Sequence, residues 1–237
     1  MVGNNLSQLG VDAGQLGDTI DTFGAALVWL PTTGEYGPQG AYGDFEYHED
    51  VATRVGLHYT HSTEDRESQP DAEDPENTQL RISDGNVIFT PGLFAPNSQI
   101  DEARYQMVSL DAGAKYRGFE LAGEYYWRVI DDLQVRGSIP YDDFYDHGFQ
   151  LLGSYMVLPK KLQAYTTYSR IYGEFGDPWD LGVGVNYFFS GKSGFERQLR
   201  LNVEYLYLSD SPVGNFAVPY VVGGNGGVIH ASLEFFF

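Results

Sequence analysis

The chain has 237 residues and a formal net charge of −19, with 33 acidic against 14 basic side chains. This charge argues against a nucleic-acid partner, since such binding depends on basic contacts to phosphate. The absence of cysteine excludes disulfides and thiolate metal sites. No segment approaches the ~20 consecutive apolar residues of a membrane-spanning helix, so a membrane protein with this sequence would have to cross the bilayer with β-strands.

Nine segments of alternating apolar and polar residues follow one another along the chain. Such alternation predicts β-strands whose two faces meet different surroundings. In the clearest segment, Phe119, Leu121 and Trp127 alternate with Glu120 and Arg128. The final segment ends on three phenylalanines, which is typical of the closing strand of an outer-membrane barrel. The predicted strands cover residues 21–30, 51–62, 104–117, 119–129, 145–158, 162–172, 179–189, 198–208 and 228–237.

Strand length and loop length both favour an antiparallel transmembrane β-barrel. Ten residues at ~3.3 Å each and a tilt near ~40° rise roughly 25 Å, which matches the apolar band of such a barrel. Short connections (117–118, 159–161, 190–194) alternate with long ones (62–102, 131–143, 173–178, 209–227), although the link 31–50 breaks this pattern. Aromatic residues gather near strand ends, as interface girdles require; they are Trp29, Tyr59, Trp127, Tyr172, Trp179, Tyr187 and Tyr207.

The strand number suggests a partial barrel. Single-chain bacterial barrels have even numbers of strands, and residues 1–7 lack the features of a secretory signal. We therefore expect the signal and several early strands to be missing from this chain, and we expect residues 1–237 to form one truncated barrel domain.

Several short motifs point to a family. They occur at 2–10 (VGNNLSQLG), 29–38 (WLPTTGEYGP), 58–62 (HYTHS), 83–89 (SDGNVIF), 115–119 (KYRGF) and 123–128 (GEYYWR). Together with the terminal Phe237 they resemble porins of the phosphate-selective porin O/P family over nearly the whole chain. The resemblance implies the C-terminal part of a bacterial outer-membrane porin, with a full barrel of roughly sixteen strands. It further implies a homotrimer that contacts membrane lipid and lipopolysaccharide and passes small hydrophilic solutes or ions, with phosphate as one possible anion.

The positions expected to face the lumen carry charges of both signs. An anion-selective pore needs rings of arginine and lysine, and no arginine recurs at every second position here, so the solute preference stays open. Opposed charges paired across neighbouring strands are the alternative interpretation of each residue. The candidate pore-lining residues are Arg54, His58, Asp111, Lys115, Glu120, Glu124, Arg128, Arg200 and Glu204.

The longest connection, 62–102, is the candidate for a loop that folds inward. The resemblance implies that such a loop narrows the channel, with Asp84, Asn86 and Phe89 as constriction candidates. Its first half is strongly acidic and its second half carries apolar residues that could anchor it to the barrel wall. A solvated surface loop that constricts nothing is the alternative.

No residue pattern predicts catalysis, a cofactor or a metal site. His58 and His61 point to opposite faces of a strand, and no local motif brings together a serine, a histidine and an orienting polar group. We therefore expect a porin and not an enzyme. Two alternatives stay open: a soluble β-barrel or sandwich that binds a ligand, and a non-conducting barrel with an envelope or adhesion role.

Overall fold

The computed structural model describes residues 22–37, 43–66, 80–189, 198–212 and 221–236. These residues form one antiparallel sheet in which each strand pairs with the next along the chain, while β1 and β9 lie at opposite edges. The prediction of an all-β antiparallel fold is therefore confirmed, although the described strands form an open sheet and not a closed barrel. The strands are β1 (Phe23–Trp29), β2 (Ala52–Asp65), β3 (Gln99–Tyr116), β4 (Phe119–Arg136), β5 (Phe144–Leu158), β6 (Leu162–Gly173), β7 (Trp179–Phe188), β8 (Gln198–Ser209) and β9 (Gly226–Phe236).

Among the described residues, no helix has the length and apolar character needed to cross a bilayer. β3 and β4 are the longest strands, with 18 residues each. The predicted end of the fourth strand at residue 129 is wrong, because the ladder continues to Arg136 after the alternation stops. Ion pairs hold this extension: Arg104 Nε lies 2.8 Å from Asp131 Oδ1, and Arg136 Nε lies 2.6 Å from Asp101 Oδ2.

The two faces of the sheet differ in which kind of side chain is exposed and which kind is buried. On the outer face, which carries Leu121 and Leu233, large apolar side chains are exposed, and these two are 66% and 64% exposed. On the inner face, which carries Lys115 and Arg128, charged side chains are only 1% and 5% exposed. Soluble proteins show the reverse distribution.

The turns at one end of the sheet, called here the short-turn end, are tight. Arg117 and Gly118 join β3 to β4 with φ angles of 46° and 87°, as a two-residue type I′ hairpin requires. A Cβ atom on Gly118 would lie 2.9 Å from the Tyr47 ring, so this close approach also favours glycine. The predicted short turn at 190–194 lies outside the described residues. Longer connections lie at the opposite, long-loop end.

The first inward segment (residues 32–37 and 43–51) joins β1 to β2 and packs on the inner face at the short-turn end. Phe45 packs edge-on against Phe188 of β7, with ring centroids 5.1 Å apart, and both contact the buried Met156. The His48 carbonyl accepts a 2.8 Å hydrogen bond from the Arg117 amide. This packing explains why the link 31–50 is longer than a simple turn.

The second inward segment (residues 80–98) precedes β3 and packs on the inner face at the long-loop end. Its apolar side chains bury inward-facing residues of β3, β4 and β5. The buried cluster comprises Leu80, Ile82, Ile88, Phe89, Ile100, Ala103, Tyr105, Ile130 and Phe144. The segment therefore covers one end of the inner face, as the first inward segment covers the other.

Candidate functional site

The register of the sheet places the whole set of predicted pore-lining residues on the inner face. Residues directly opposite each other in neighbouring strands share a face, and His58 of β2 stands opposite Ser109, which stands opposite Tyr126 of β4. Arg200 and Glu204 of β8 share this face with Glu234 and His230 of β9. The inner face is thus the candidate functional surface, and its arginines and lysine form ion pairs with carboxylates on the same face.

One pair centres on the Asp111 carboxylate of β3. His58 Nε2 lies 2.6 Å from Asp111 Oδ2, and Arg54 Nη1 contacts the other carboxylate oxygen. Asp111 lies across Gly56, where any side chain would collide with it. The glycine therefore leaves the space that lets one carboxylate reach two basic side chains on β2.

A second pair joins Lys115 and Glu120 across the β3–β4 hairpin, with Lys115 Nζ 3.9 Å from Glu120 Oε1. The first inward segment covers both residues. Lys115 Nζ lies 4.6 Å from the centre of the Tyr36 ring, and the Tyr36 hydroxyl donates a 3.3 Å hydrogen bond to Glu120. Burial, and then the charge of Glu120, raises the pKa of the Tyr36 hydroxyl well above its usual range. Tyr36 therefore stays protonated, and its ring shields the Lys115 side chain from water.

The third and fourth pairs lie further along the face. Arg128 Nε donates to Asp146 Oδ1 at 2.9 Å, and the Arg128 Nη2 atom contacts the second oxygen of the same carboxylate. Both side chains are buried. Arg200 of β8 contacts Glu234 of β9. Sequence analysis missed Asp146, although its position opposite Arg128 in the register identifies it once the β4–β5 pairing is known.

The first inward segment is fixed by Asp44, which the sequence analysis also missed. Asp44 is fully buried and accepts a 2.7 Å hydrogen bond from the Gly118 amide. It also accepts hydrogen bonds from the His48 amide at 3.1 Å and from His48 Nδ1. His48 Nε2 lies 2.8 Å from Glu35 Oε1. The imidazole therefore bridges two carboxylates and ties the segment to the β3–β4 turn.

The pKa of His48 is raised above its usual value. Burial is the largest single cause and lowers this pKa, but the hydrogen bond to Asp44 and the charges of Asp44 and Glu35 together raise it by more than burial lowers it.

Glu46 completes a group in which one donor atom each of Asp44, Glu46 and His48 lies within 4.8 Å of the others. Since both Asp44 oxygens already accept hydrogen bonds, the group is explained as a structural anchor.

The second inward segment contains the predicted constriction residues. Asp84 and Asn86 lie at its tip, where the Asp84 carboxylate accepts bonds from the Asn86 amide (2.9 Å) and from Asn86 Nδ2 (2.7 Å). Phe89 is fully buried in the apolar cluster, so it anchors the segment and does not line open space. The acidic part of the predicted loop at 67–79 lies outside the described residues.

The tip of the second inward segment reaches the far side of the sheet. The Ser83 hydroxyl accepts a 3.1 Å hydrogen bond from the Phe175 amide in the β6–β7 connection. Gly85 lies against Pro212 and Val222 of the β8–β9 connection, where a side chain would collide with both. The segment therefore crosses the inner face from β3 to the connection that follows β8.

The outer face carries aromatic residues in two belts with aliphatic residues between them. On β4, Phe119 and Trp127 mark the belts, eight residues or ~26 Å apart along the strand. Phe119 stacks on Tyr155 at the short-turn end, with centroids 4.1 Å apart, and Trp179 stacks on Tyr207 at the other end, with centroids 5.3 Å apart. The aliphatic residues between the belts include Leu57, Leu110, Leu151, Val183, Val203 and Ile229, all of them exposed.

No protein-family model, no curated protein and no solved structure matches the chain. The resemblance of its motifs to the porin O/P family therefore gains no support from these comparisons and stays a prediction. Function has to be argued from the chemistry of the two faces.

Replacing Asp146 with alanine should lower the free energy of unfolding by ~3–5 kcal/mol, because it leaves the buried Arg128 guanidinium without its counter-charge. Urea unfolding in detergent micelles, followed by tryptophan fluorescence, measures the loss. Asp131→Ala is the matched control, since its partner Arg104 stays in contact with water and its loss should be small. Equal losses in the two variants would contradict a buried ion pair.

The His48 anchor should weaken as the pH rises. A histidine whose pKa is raised on folding stabilises the fold fully below its unfolded pKa of ~6.5, and this stabilisation is lost as the pH rises through the folded pKa. The difference in unfolding free energy between the wild type and His48→Gln should therefore shrink with increasing pH. In an Asp44→Asn background the trend should flatten. A difference that grows with pH would show that His48 is not held as a cation.

Proposed function

We propose that this chain forms part of the wall of a transmembrane β-barrel in the bacterial outer membrane, and that the protein acts as a porin for small hydrophilic solutes and ions. The observation that carries the proposal is the inverted polarity of the sheet, with apolar side chains exposed on the outer face and charges shielded on the inner face. The proposed transport is passive diffusion and requires neither catalysis nor a cofactor.

The outer face supports a lipid contact. Exposed large apolar residues extend from β1 to β9 and occur on every strand except β6, a far larger surface than a soluble monomer normally leaves in water. Aromatic belts at two levels, with aliphatic residues between them, are the pattern of a membrane barrel. Beyond the long-loop belt the outer face becomes polar again, at Arg104 and Asp131, where an extracellular water phase would begin.

The soluble alternative needs the apolar face to be covered by a second protein layer. Leu121, Trp127, Leu201 and Leu233 would then lie inside a core. In the described part of the chain no such layer covers them, and their exposure ranges from 38% to 66%. Membrane lipid, with lipopolysaccharide in the outer leaflet, is the partner that fits this surface. A homotrimer remains an expectation from the motif resemblance alone.

A second candidate function is a barrel that conducts little or nothing and serves the envelope mechanically. The observation that favours it is the packing of both inward segments on the inner face, one at each end. Inward segments can narrow a pore or plug it. A measurement of conductance distinguishes the two functions, because a porin passes current and a plugged barrel does not.

Val183→Arg should destabilise the protein by ~2–4 kcal/mol in phospholipid vesicles, because Val183 stands midway between the belt residues Trp179 and Tyr187 and would place a charge near the bilayer midplane. Val221→Arg is the control, since Val221 is exposed outside the strands. In a soluble protein neither substitution should change the unfolding free energy much, because both valines would be exposed to water. Similar unfolding free energies for the two variants would therefore argue against the membrane.

The porin function is tested by planar-bilayer recording of the protein purified from outer membranes. We expect stepwise increases in conductance as single pores insert, at a level that scales with the salt concentration. Deleting residues 83–87, the tip of the second inward segment, should increase the single-pore conductance if that segment narrows the channel. A preparation that inserts into the bilayer but passes no current would favour the plugged envelope barrel.

A further inference from the structure

We infer that the channel prefers cations to anions. This inference rests on the proposed porin function and names the class of solute that the inner face would favour. It depends on how the inward charges are paired, not on the acidic composition of the whole chain.

Every inward arginine or lysine between the belts of the described strands is neutralised by a carboxylate. Arg54 pairs with Asp111, Lys115 with Glu120, Arg128 with Asp146, and Arg200 with Glu234. Two of these cations are also shielded from water, because the Lys115 and Arg128 side chains are only 1% and 6% exposed. A buried and paired cation presents little positive potential to an anion in the lumen.

Three inward carboxylates have no arginine or lysine partner among the described residues: Glu124, Asp180 and Glu204. All three are only partly buried, so they remain in contact with the space above the inner face. Glu124 stands directly opposite Asp111 in the register. The Arg54 and His58 contacts of Asp111 leave Glu124 itself without an ion pair.

The other two carboxylates lie on neighbouring strands. Asp180 of β7 accepts a hydrogen bond from the Ser169 hydroxyl, which leaves its charge intact. Glu204 of β8 lies across Gly182 of β7, where a Cβ atom would be 2.9 Å from Glu204 Oε1. His230 stands opposite Glu204. With no arginine or lysine paired to Asp180 or Glu204, this wall therefore carries surplus negative charge.

A surplus of carboxylates on a pore wall raises the local concentration of cations and lowers that of anions. The effect is strongest at low ionic strength, since the Debye length is ~10 Å at 0.1 M salt and ~3 Å at 1 M. The permeability ratio of K⁺ to Cl⁻ should therefore exceed one and should fall as the salt concentration rises.

The test is the reversal potential in a KCl gradient at pH 8, measured on the protein purified from outer membranes. The wild type is compared with Glu124→Gln/Asp180→Asn/Glu204→Gln, which removes the unpaired charges without changing side-chain size. Asp142→Asn/Asp143→Asn/Glu174→Gln, at exposed positions of the β4–β5 and β6–β7 connections, is the matched control, since it removes the same number of negative charges away from the inner face. Equal conductance of the three proteins in 1 M KCl establishes that each forms the same pore.

We expect K⁺ preference in the wild type and in the control, and a permeability ratio reduced about twofold or more toward one in the triple variant. A wild type that prefers Cl⁻, or a triple variant with an unchanged ratio, would overturn the cation preference while leaving the porin function in place. A wild type that passes no current would overturn the porin function and this inference together.

Discussion

Most strands of this sheet meet two different surroundings at once, since their apolar side chains are exposed on one face and their charged side chains lie on the other, where several are buried. Water alone cannot meet both demands. Apolar surface of this extent is costly in water, and charges are costly when they are buried without partners. Hydrocarbon outside and water inside resolve the conflict, and the length of the strands, the aromatic belts and the pairing of inner charges follow from it.

The inner face is organised by pairing and by the two inward segments. The first inward segment is tied down by Asp44, which links the His48 imidazole to the β3–β4 turn, and by Tyr36, which seals Lys115. The second is held by an apolar cluster and reaches as far as the β8–β9 connection. The space left between them carries Asp111 and Glu124, and its electrostatics depend on which charges lack partners.

The strands and their faces could be predicted from the sequence because alternation is a local property of the chain. The inward placement of Arg128 and Glu204 followed from the same pattern. Asp146 could not be recognised as the partner of Arg128, because cross-strand pairing depends on the register that the connections set. Asp44 and Tyr36 lie in a segment without periodicity, where nothing local predicts an inward path. Phe89, a constriction-loop candidate, belongs to the apolar half of that loop, and its burial fits the anchoring role that its apolar character predicts.

The most direct measurement of the central claim is a nitroxide scan of β8. The chain contains no cysteine, so single cysteines at positions 201 to 207 can each be labelled in an otherwise unmodified protein in lipid vesicles. Collisions with oxygen report contact with lipid, and collisions with a water-soluble nickel complex report contact with water. The account predicts a period of two, with positions 201, 203 and 205 accessible to oxygen and 202 and 204 accessible to nickel. Nickel access at 201, 203 and 205 would contradict it.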